Sequence, residues 1–233
     1  MNPAQLAALC LTHHHSDHLM DVGDILLTRW VCGGAMPFPV IAPEGPTTSY
    51  LERLLSLWAD DITVRKDHGR RTTEPEIDLI DFLPREEPTV VWERSGVTVT
   101  SILVHHEPVE PAVAYRVDSG GASVVISGDT RVCASLKKLA HGCDILVHEA
   151  VMTEEVLKAG MPHVAAYHAD CRELGAMVSD LDVATLVLTH LEPSPRDALA
   201  AQGFADEVRR GGYQGQLIVA HDLVAVDTAP TIS

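Results

Sequence analysis

No stretch of this chain is apolar for the roughly 20 consecutive residues that a membrane-crossing helix needs. Basic residues are scarce: 17 Lys and Arg stand against 33 Asp and Glu, a formal charge of −16. That balance argues against broad contact with phosphate backbones, which relies on Lys and Arg, though it leaves room for a local basic pocket. Paired cysteines are missing too. Cys10, Cys32, Cys133, Cys143 and Cys171 are odd in number, scattered, and form no C-x-x-C pair. They read mostly as small buried apolar residues in a reducing compartment, and none sits in a nucleophile's context. There is no internal repeat, no low-complexity linker, and no basic stretch followed by an apolar one at the visible start. The expectation is a cytoplasmic protein without a signal peptide.

What is present is 233 residues, 46% of them hydrophobic, enough for one sizeable core and read as a single domain over residues 1–233. Short β-branched runs predict strands over 6–12 and 39–42, and apolar residues at helical spacing predict a helix over 48–62. The charged stretch 66–76 reads as a surface loop. Strands follow at "TVVWER", "VTVTSILV", "AVAYRV" and "SVVISG", the first two joined by Ser95-Gly96 and the last two by "DSGGA", which has hairpin turn chemistry. Beyond them the pattern predicts helices over 131–140, 168–179 and 195–209, strands "DILVHE" and "ATLVLT" between them, and closing strands "QLIVA" and "LVAVD". Strands in the middle and α/β alternation towards the ends point to an α/β architecture of sandwich type, two sheets with helices outside.

The chemistry concentrates in "LCLTHHHSDHLMDVGDILL". On an extended segment, residues two apart point to the same side, so His13 and His15 can bind one metal while His14 points away. Asp17 and His18, past a turn, can face a second metal, and Ser16 or Asp17 can begin the helix that follows. Imidazole and carboxylate suit Zn²⁺, and also Fe or Mn. Further candidates stand where strands end, at His105 and His106, at Asp129 and at His190. Loops converge at such ends in α/β folds.

Taken together, "HHHSDH", "SGDTR", "LVHEA", "YHAD" and "LVLTHLEP" resemble the metallo-β-lactamase fold superfamily, over essentially all of the chain. The branch they are similar to contains ribonuclease Z and arylsulfatase-like or phosphodiesterase-like hydrolases. The resemblance implies an αββα sandwich and two divalent metal ions, Zn²⁺ with Mn²⁺ or Fe²⁺ as alternatives. His13, His15 and His106 would hold the first ion, Asp17, His18 and His190 the second, with Asp129 bridging. His105 is the rival for the third position, and the run "H-E-P-V" leading to "AYR" matches the family spacing from His106. It further implies metal-assisted hydrolysis. Asp17 would orient the attacking water, His168 would stabilise the transition state or protonate the leaving group, and Glu149 would orient His168.

Two departures shape the functional expectation. Ribonuclease Z enzymes that process tRNA carry a long clamping arm between the third ligand His and the bridging Asp, whereas 106–129 here is filled by one hairpin. With the acidic charge, this predicts a small ester substrate (phosphodiester, aryl sulfate or carboxylic ester) and argues against nucleic acid. Ribonuclease Z-like cleavage of RNA is the alternative. Family members also begin with several strands before the metal motif, whereas only "MNPAQLAA" precedes the motif strand here. The expectation is an incomplete first sheet, in a fragment or a chain started at an internal Met. The superfamily's di-iron oxidoreductases have Glu where this chain has His15. A sulfur dioxygenase and an inactive truncated relative complete the competing readings. A homodimer is expected by analogy with ribonuclease Z alone.

Overall fold

The computed structural model describes residues 2–69 and 73–228. The chain divides into two compact units, Met1–Leu83 and Pro84–Ser233.

The first unit is built on a parallel sheet of three strands, β1 (Leu9–Cys10), β2 (Phe38–Pro43) and β3 (Ile77–Phe82), in that order. β2 is buried along its whole length although it contains Pro39 and Pro43, residues that cannot donate to a ladder. The alternation of amide directions resolves this. Phe38 N and Glu44 N donate towards β3, to Glu76 O (2.8 Å) and Phe82 O (3.0 Å), so the odd-numbered positions face β1. There β1 pairs only with Val40 and Ile41, and the missing proline amides fall outside that pairing.

A short helix α1 (Ser16–Leu19) and the longer α2 (Val22–Val31) follow the His-rich segment. The helix expected to run on through "LMDVGDILL" is thus interrupted after Met20. α2 buries Val22, Leu26 and Trp30, spaced one turn apart, and Val22 and Leu26 join a core with Leu11, Leu19, Phe38, Val40, Leu51 and Leu54. Its Arg29 donates to Ala4 O (2.6 Å) and lies 4.6 Å from the centre of the Phe38 ring, which ties down the N-terminal turn. The helix predicted over 48–62 is α3 (Pro46–Leu54), a 3-10 turn (Leu55–Trp58) and α4 (Ala59–His68). α4 therefore runs into the predicted 66–76 loop, of which 70–72 lie outside the described residues.

The second unit holds a sheet of seven strands: β4 (Thr89–Arg94), β5 (Val97–Leu103), β6 (Val113–Ser119), β7 (Ala122–Ile126), β8 (Ile145–Val151), β9 (Thr185–Glu192) and β10 (Gln216–Val219). They lie side by side in chain order. β4 to β7 form an antiparallel meander and β7 to β10 are parallel. Gly120 and Gly121 close the β6–β7 hairpin at φ +59° and +84°, the left-handed pair that a two-residue turn of matching twist requires. Helices α5 (Ala134–Ala140), α6 (Thr153–Lys158), α7 (Pro162–Tyr167), α8 (Cys171–Ser179) and α9 (Ala198–Arg210) make the connections. Leu136, Leu146, Leu174, Met177, Leu186 and Val208 are among the fully buried residues of its core.

The topology decides where the site can form. Two antiparallel steps separate β5 from β7, so both run the same way, as do β8 and β9. The segments after β5 and β7 and the ends of β8 and β9 consequently meet at one edge of the sheet, the usual ligand edge of parallel strands. His106, Asp129, Glu149 and His190 all lie there. The expected closing strand "LVAVD" is not one: 223–227 is turn and irregular chain beyond β10.

α8 and α9 approach closely at Gly175, where an added Cβ would stand 2.1 Å from Val208 O. At Gly203 the nearest atom is the flexible Met152 Cε, at 3.8 Å. Gly175→Ala should therefore lower stability by about 1–3 kcal/mol, whereas Gly203→Ala should be neutral or gain about 0.5–1 kcal/mol from helix propensity. Urea midpoints of the two variants against wild type check both.

Candidate metal centre

In the first unit the His-rich segment leaves β1 in extended form, and His15 occupies the cap position of α1 with φ −62° and ψ 146°. His13 is fully buried, with Nδ1 3.0 Å from Thr12 Oγ1. Its ring centre lies 5.0 Å from that of His15 and 4.2 Å from that of His18. Asp17 Oδ2 is 3.4 Å from His18 Nε2. The segment thus collects three imidazoles and one carboxylate, while His14 lines a small pocket with Ser16, Leu19, Met20, Pro46 and Tyr50.

In the second unit, Asp129 is buried beyond β7, with Oδ2 3.9 Å from His106 Nε2 and 3.4 Å from His190 Nε2. The donor atoms of Asp129, His168 and His190 all lie within 4.8 Å of one another. His105 goes elsewhere: it is half exposed and its Nδ1 sits 3.1 Å from Glu107 Oε1. His106, fully buried, donates from Nδ1 to Tyr167 O (3.1 Å), which fixes the tautomer and leaves the Nε2 lone pair on the Asp129 side.

His190 reaches the group through a feature that no sequence pattern announces. Along β8 and β9, Glu149 pairs with Thr189 but Ala150 pairs with Leu191, so His190 is the extra residue of a β-bulge. Its φ of +44° is uncommon for a residue with a Cβ. A bulge turns a side chain away from the alternation of its strand, and here it directs the imidazole to Asp129.

Glu149, at the end of β8, is the buried hub. Its carboxylate accepts from Thr130 N (3.0 Å), His168 Nδ1 (2.9 Å) and Ala169 N (3.2 Å). Burial raises the Glu149 pKa, and the hydrogen bond and charge of His168 pull it back. Burial also works against a charged His168, but the Glu149 carboxylate, helped by Asp129 and Glu192, outweighs it and leaves the His168 pKa raised. A histidine that donates from Nδ1 to a carboxylate keeps Nε2 for proton exchange, which is acid–base chemistry poised above the ordinary imidazole range.

Residues 1–191 match the family model described as the beta-lactamase superfamily domain. The chain belongs to the beta-lactamase superfamily. It is 35% identical over 234 residues to a ribonuclease Z of Mycobacterium bovis (strain BCG / Pasteur 1173P2), covering 97% of this chain and 81% of that relative. A putative ribonuclease Z of Mycobacterium tuberculosis (strain CDC 1551 / Oshkosh) is 34% identical over 229 residues, covering 95% and 99%. Among solved structures, human tRNase Z, short form, shares the fold with TM-score 0.68 and 17% identity, over 98% of this chain and 82% of that one. The metallo-beta-lactamase fold protein YhfI from Bacillus subtilis does so with TM-score 0.67 and 20% identity, over 94% and 76%.

The superfamily membership makes this chain a metal-dependent hydrolase of metallo-β-lactamase fold, and the family implies divalent metal ions. The donor chemistry fits them. Imidazole nitrogens and carboxylate oxygens gather within each unit, and His106 is held by its far nitrogen in the manner of a metal ligand. Among the described residues, no helix is long and apolar enough to cross a membrane. Two contributors escaped the sequence reading. Tyr167 supplies the carbonyl that orients His106, and Thr130 supplies an amide to Glu149. Neither role leaves a sequence signal, because both run through the backbone.

His148 points to the other side of β8 from Glu149 and is fully buried, donating from Nδ1 to Glu149 O at 2.7 Å. Burial pushes its pKa from 6.5 down to about 4, with Glu149 O and Asp129 opposing. The unfolded chain therefore binds the extra proton first as pH falls, and stability is lost between about 6.5 and about 4. This one group contributes about 3 kcal/mol of that loss. Unfolding midpoints of the metal-free protein across this window should show a shallower pH slope for His148→Asn than for wild type.

Proposed function

We propose that the chain is a dinuclear metal-dependent phosphodiesterase acting on RNA. The observation that carries this reading is the histidine His168, held by the buried Glu149 carboxylate beside Asp129 and His190. The name ribonuclease Z on relatives at 34% and 35% identity directs it to an RNA phosphodiester. By the family motif, His13, His15 and His106 would hold one ion and Asp17, His18 and His190 the other, with Asp129 shared between them. Zinc is the metal this imidazole-rich set suits best. When bound, the two ions supply Lewis-acid polarisation of the phosphoryl group and an acidified water.

The chain's own residues do the rest. Asp17, exposed beside His18, orients the attacking water. His168 delivers a proton from Nε2 to the leaving oxygen, and the carboxylate at its Nδ1 keeps that proton available near neutral pH. Glu149 also ties the segment after Asp129 to the segment after α7, so that the acid and the metal-binding carboxylate keep one spacing.

A second reading, hydrolysis of small phosphodiesters or aryl and carboxylic esters, is favoured by a specific observation. The interval between His106 and Asp129 holds only the β6–β7 hairpin with its two-residue turn, leaving no clamping arm to grip a tRNA. The formal charge of −16 points the same way.

The test is metal-loaded protein incubated with RNA carrying a 3′ extension, and separately with bis(p-nitrophenyl) phosphate and aryl sulfate and carboxylate esters. Cleavage of the RNA, abolished by chelation, is the expected result, and turnover of the small esters alone transfers the case to the second reading. Inertness to all of them by folded, metal-loaded protein defeats both. His168→Ala should lower kcat by about 10²–10⁴-fold with metal content unchanged. His106→Ala should lose bound metal and His105→Ala retain it, measured by elemental analysis after dialysis.

A further inference from the structure

The backbone carbonyl of Tyr167 orients His106, while its ring has no part in the proposed hydrolysis. Aromatic residues make up only 4% of this chain. Trp30, Phe38, Tyr115, Phe204 and Tyr213 are buried. Tyr167 belongs to neither core cluster and stays half-buried at the end of α7. Its ring stands nearly perpendicular to that of His106, with centres 5.1 Å apart and planes at 86°, and lies 4.8 Å from His168 at 50°. Those two imidazoles are themselves 5.1 Å apart. Tyr167 thus borders both the proposed metal ligand and the proposed acid. One helical turn earlier the exposed His163 adds a second plane, 6.4 Å away and tilted by 44°.

We propose that the Tyr167 ring, extended by His163, is the stacking platform for a nucleobase next to the scissile phosphodiester. The inference rests on the phosphodiesterase reading and names what that site grips. An acidic protein gains little from the phosphate backbone, since that attraction scales with the Lys and Arg it can offer. Stacking on an aromatic face is the contribution that does not depend on net charge, and every base has such a face. An unpaired base fits this platform; a base kept in a duplex has both faces occupied. The ring therefore selects single-stranded nucleotides.

The experiment compares short RNAs that differ only by an abasic residue, placed in turn on each side of the cleaved bond. Wild type should show a kcat/KM at least about tenfold higher with the base present on one side. Tyr167→Phe should keep that preference, Tyr167→Leu, which stays apolar but has no π-face, should lose it, and His163→Ala should reduce it partly. In parallel, the same RNA carrying 2-aminopurine at that position is titrated against metal-free wild type and the variants. Quenching of its fluorescence should follow the same order, and this readout needs neither turnover nor metal. A preference, or quenching, that survives in Tyr167→Leu overturns the proposal, as does the absence of any base preference in a wild type that cleaves RNA. If wild type cleaves no RNA, the phosphodiesterase reading fails by itself, and unquenched 2-aminopurine then refutes the platform too. Should Tyr167→Leu fail to fold, Tyr167→Phe and His163→Ala still decide by the order of their quenching.

Discussion

A carboxylate with almost no access to water holds the second unit's site together. Burying an ionised group is costly unless every lone pair finds a donor, and Glu149 finds three: Thr130 N, His168 Nδ1 and Ala169 N. The donors come from two separate crossover segments, one leaving β7 and one leaving α7. Satisfying the carboxylate therefore fixes the course of both. Thr130 follows Asp129 directly and Ala169 follows His168, so a requirement of desolvation becomes a rule about where the Asp129 carboxylate and the His168 imidazole must stand. Removing the carboxylate would leave two buried amides unpaired, which makes Glu149 a structural as well as a chemical necessity.

Around that anchor the fold works by direction. A meander of antiparallel strands followed by parallel ones brings the chain past the same sheet edge after β5, after β7 and along β8 and β9. Strand alternation would still have assigned His190 to a face by parity alone. The bulge in β9 removes that constraint, and the residue accepts a left-handed backbone to face Asp129. Such local cost is borne where the surrounding pairing overdetermines the position, and β8 pairs with β9 on either side of the bulge, at Thr189 and at Leu191.

Much of this was legible beforehand because the chemistry uses short, periodic spacing. In "HHHSDH" the two-residue period sets His13 and His15 apart from His14, and their rings lie 5.0 Å apart, while His18, which is off that period, comes within 4.2 Å of His13 by way of the turn into α1. The strands of the meander were legible from their β-branched runs and Gly-rich turns. Elements set by tertiary contact were not. β3, α6 and α7 carry too little periodicity of their own, and β1 shrinks to Leu9–Cys10 because β2 pairs with it at only two positions. The "LVAVD" run has strand composition but no strand beside it, and composition without a partner does not make a ladder. The preference for His106 over His105 rested in the sequence on family spacing alone, and the structure adds the contacts that separate the two neighbours, His106 beside Asp129 and His105 beside Glu107.

The relatives' name and the chain's charge pull the functional reading in opposite directions, and the conflict dissolves once local and global electrostatics are separated. Net charge governs long-range attraction and is screened within about 10 Å at ordinary salt. A scissile phosphate at the centre answers instead to its immediate surroundings: imidazoles, a His168 whose pKa is raised, and the divalent ions the family implies. An acidic surface penalises a long polyanion laid across it far more than a short single-stranded end inserted at one point. Between His106 and Asp129 the chain holds a single hairpin, so on the proposed RNA reading recognition would be concentrated beside the reacting phosphate, where the half-buried ring of Tyr167 is proposed to stack a base.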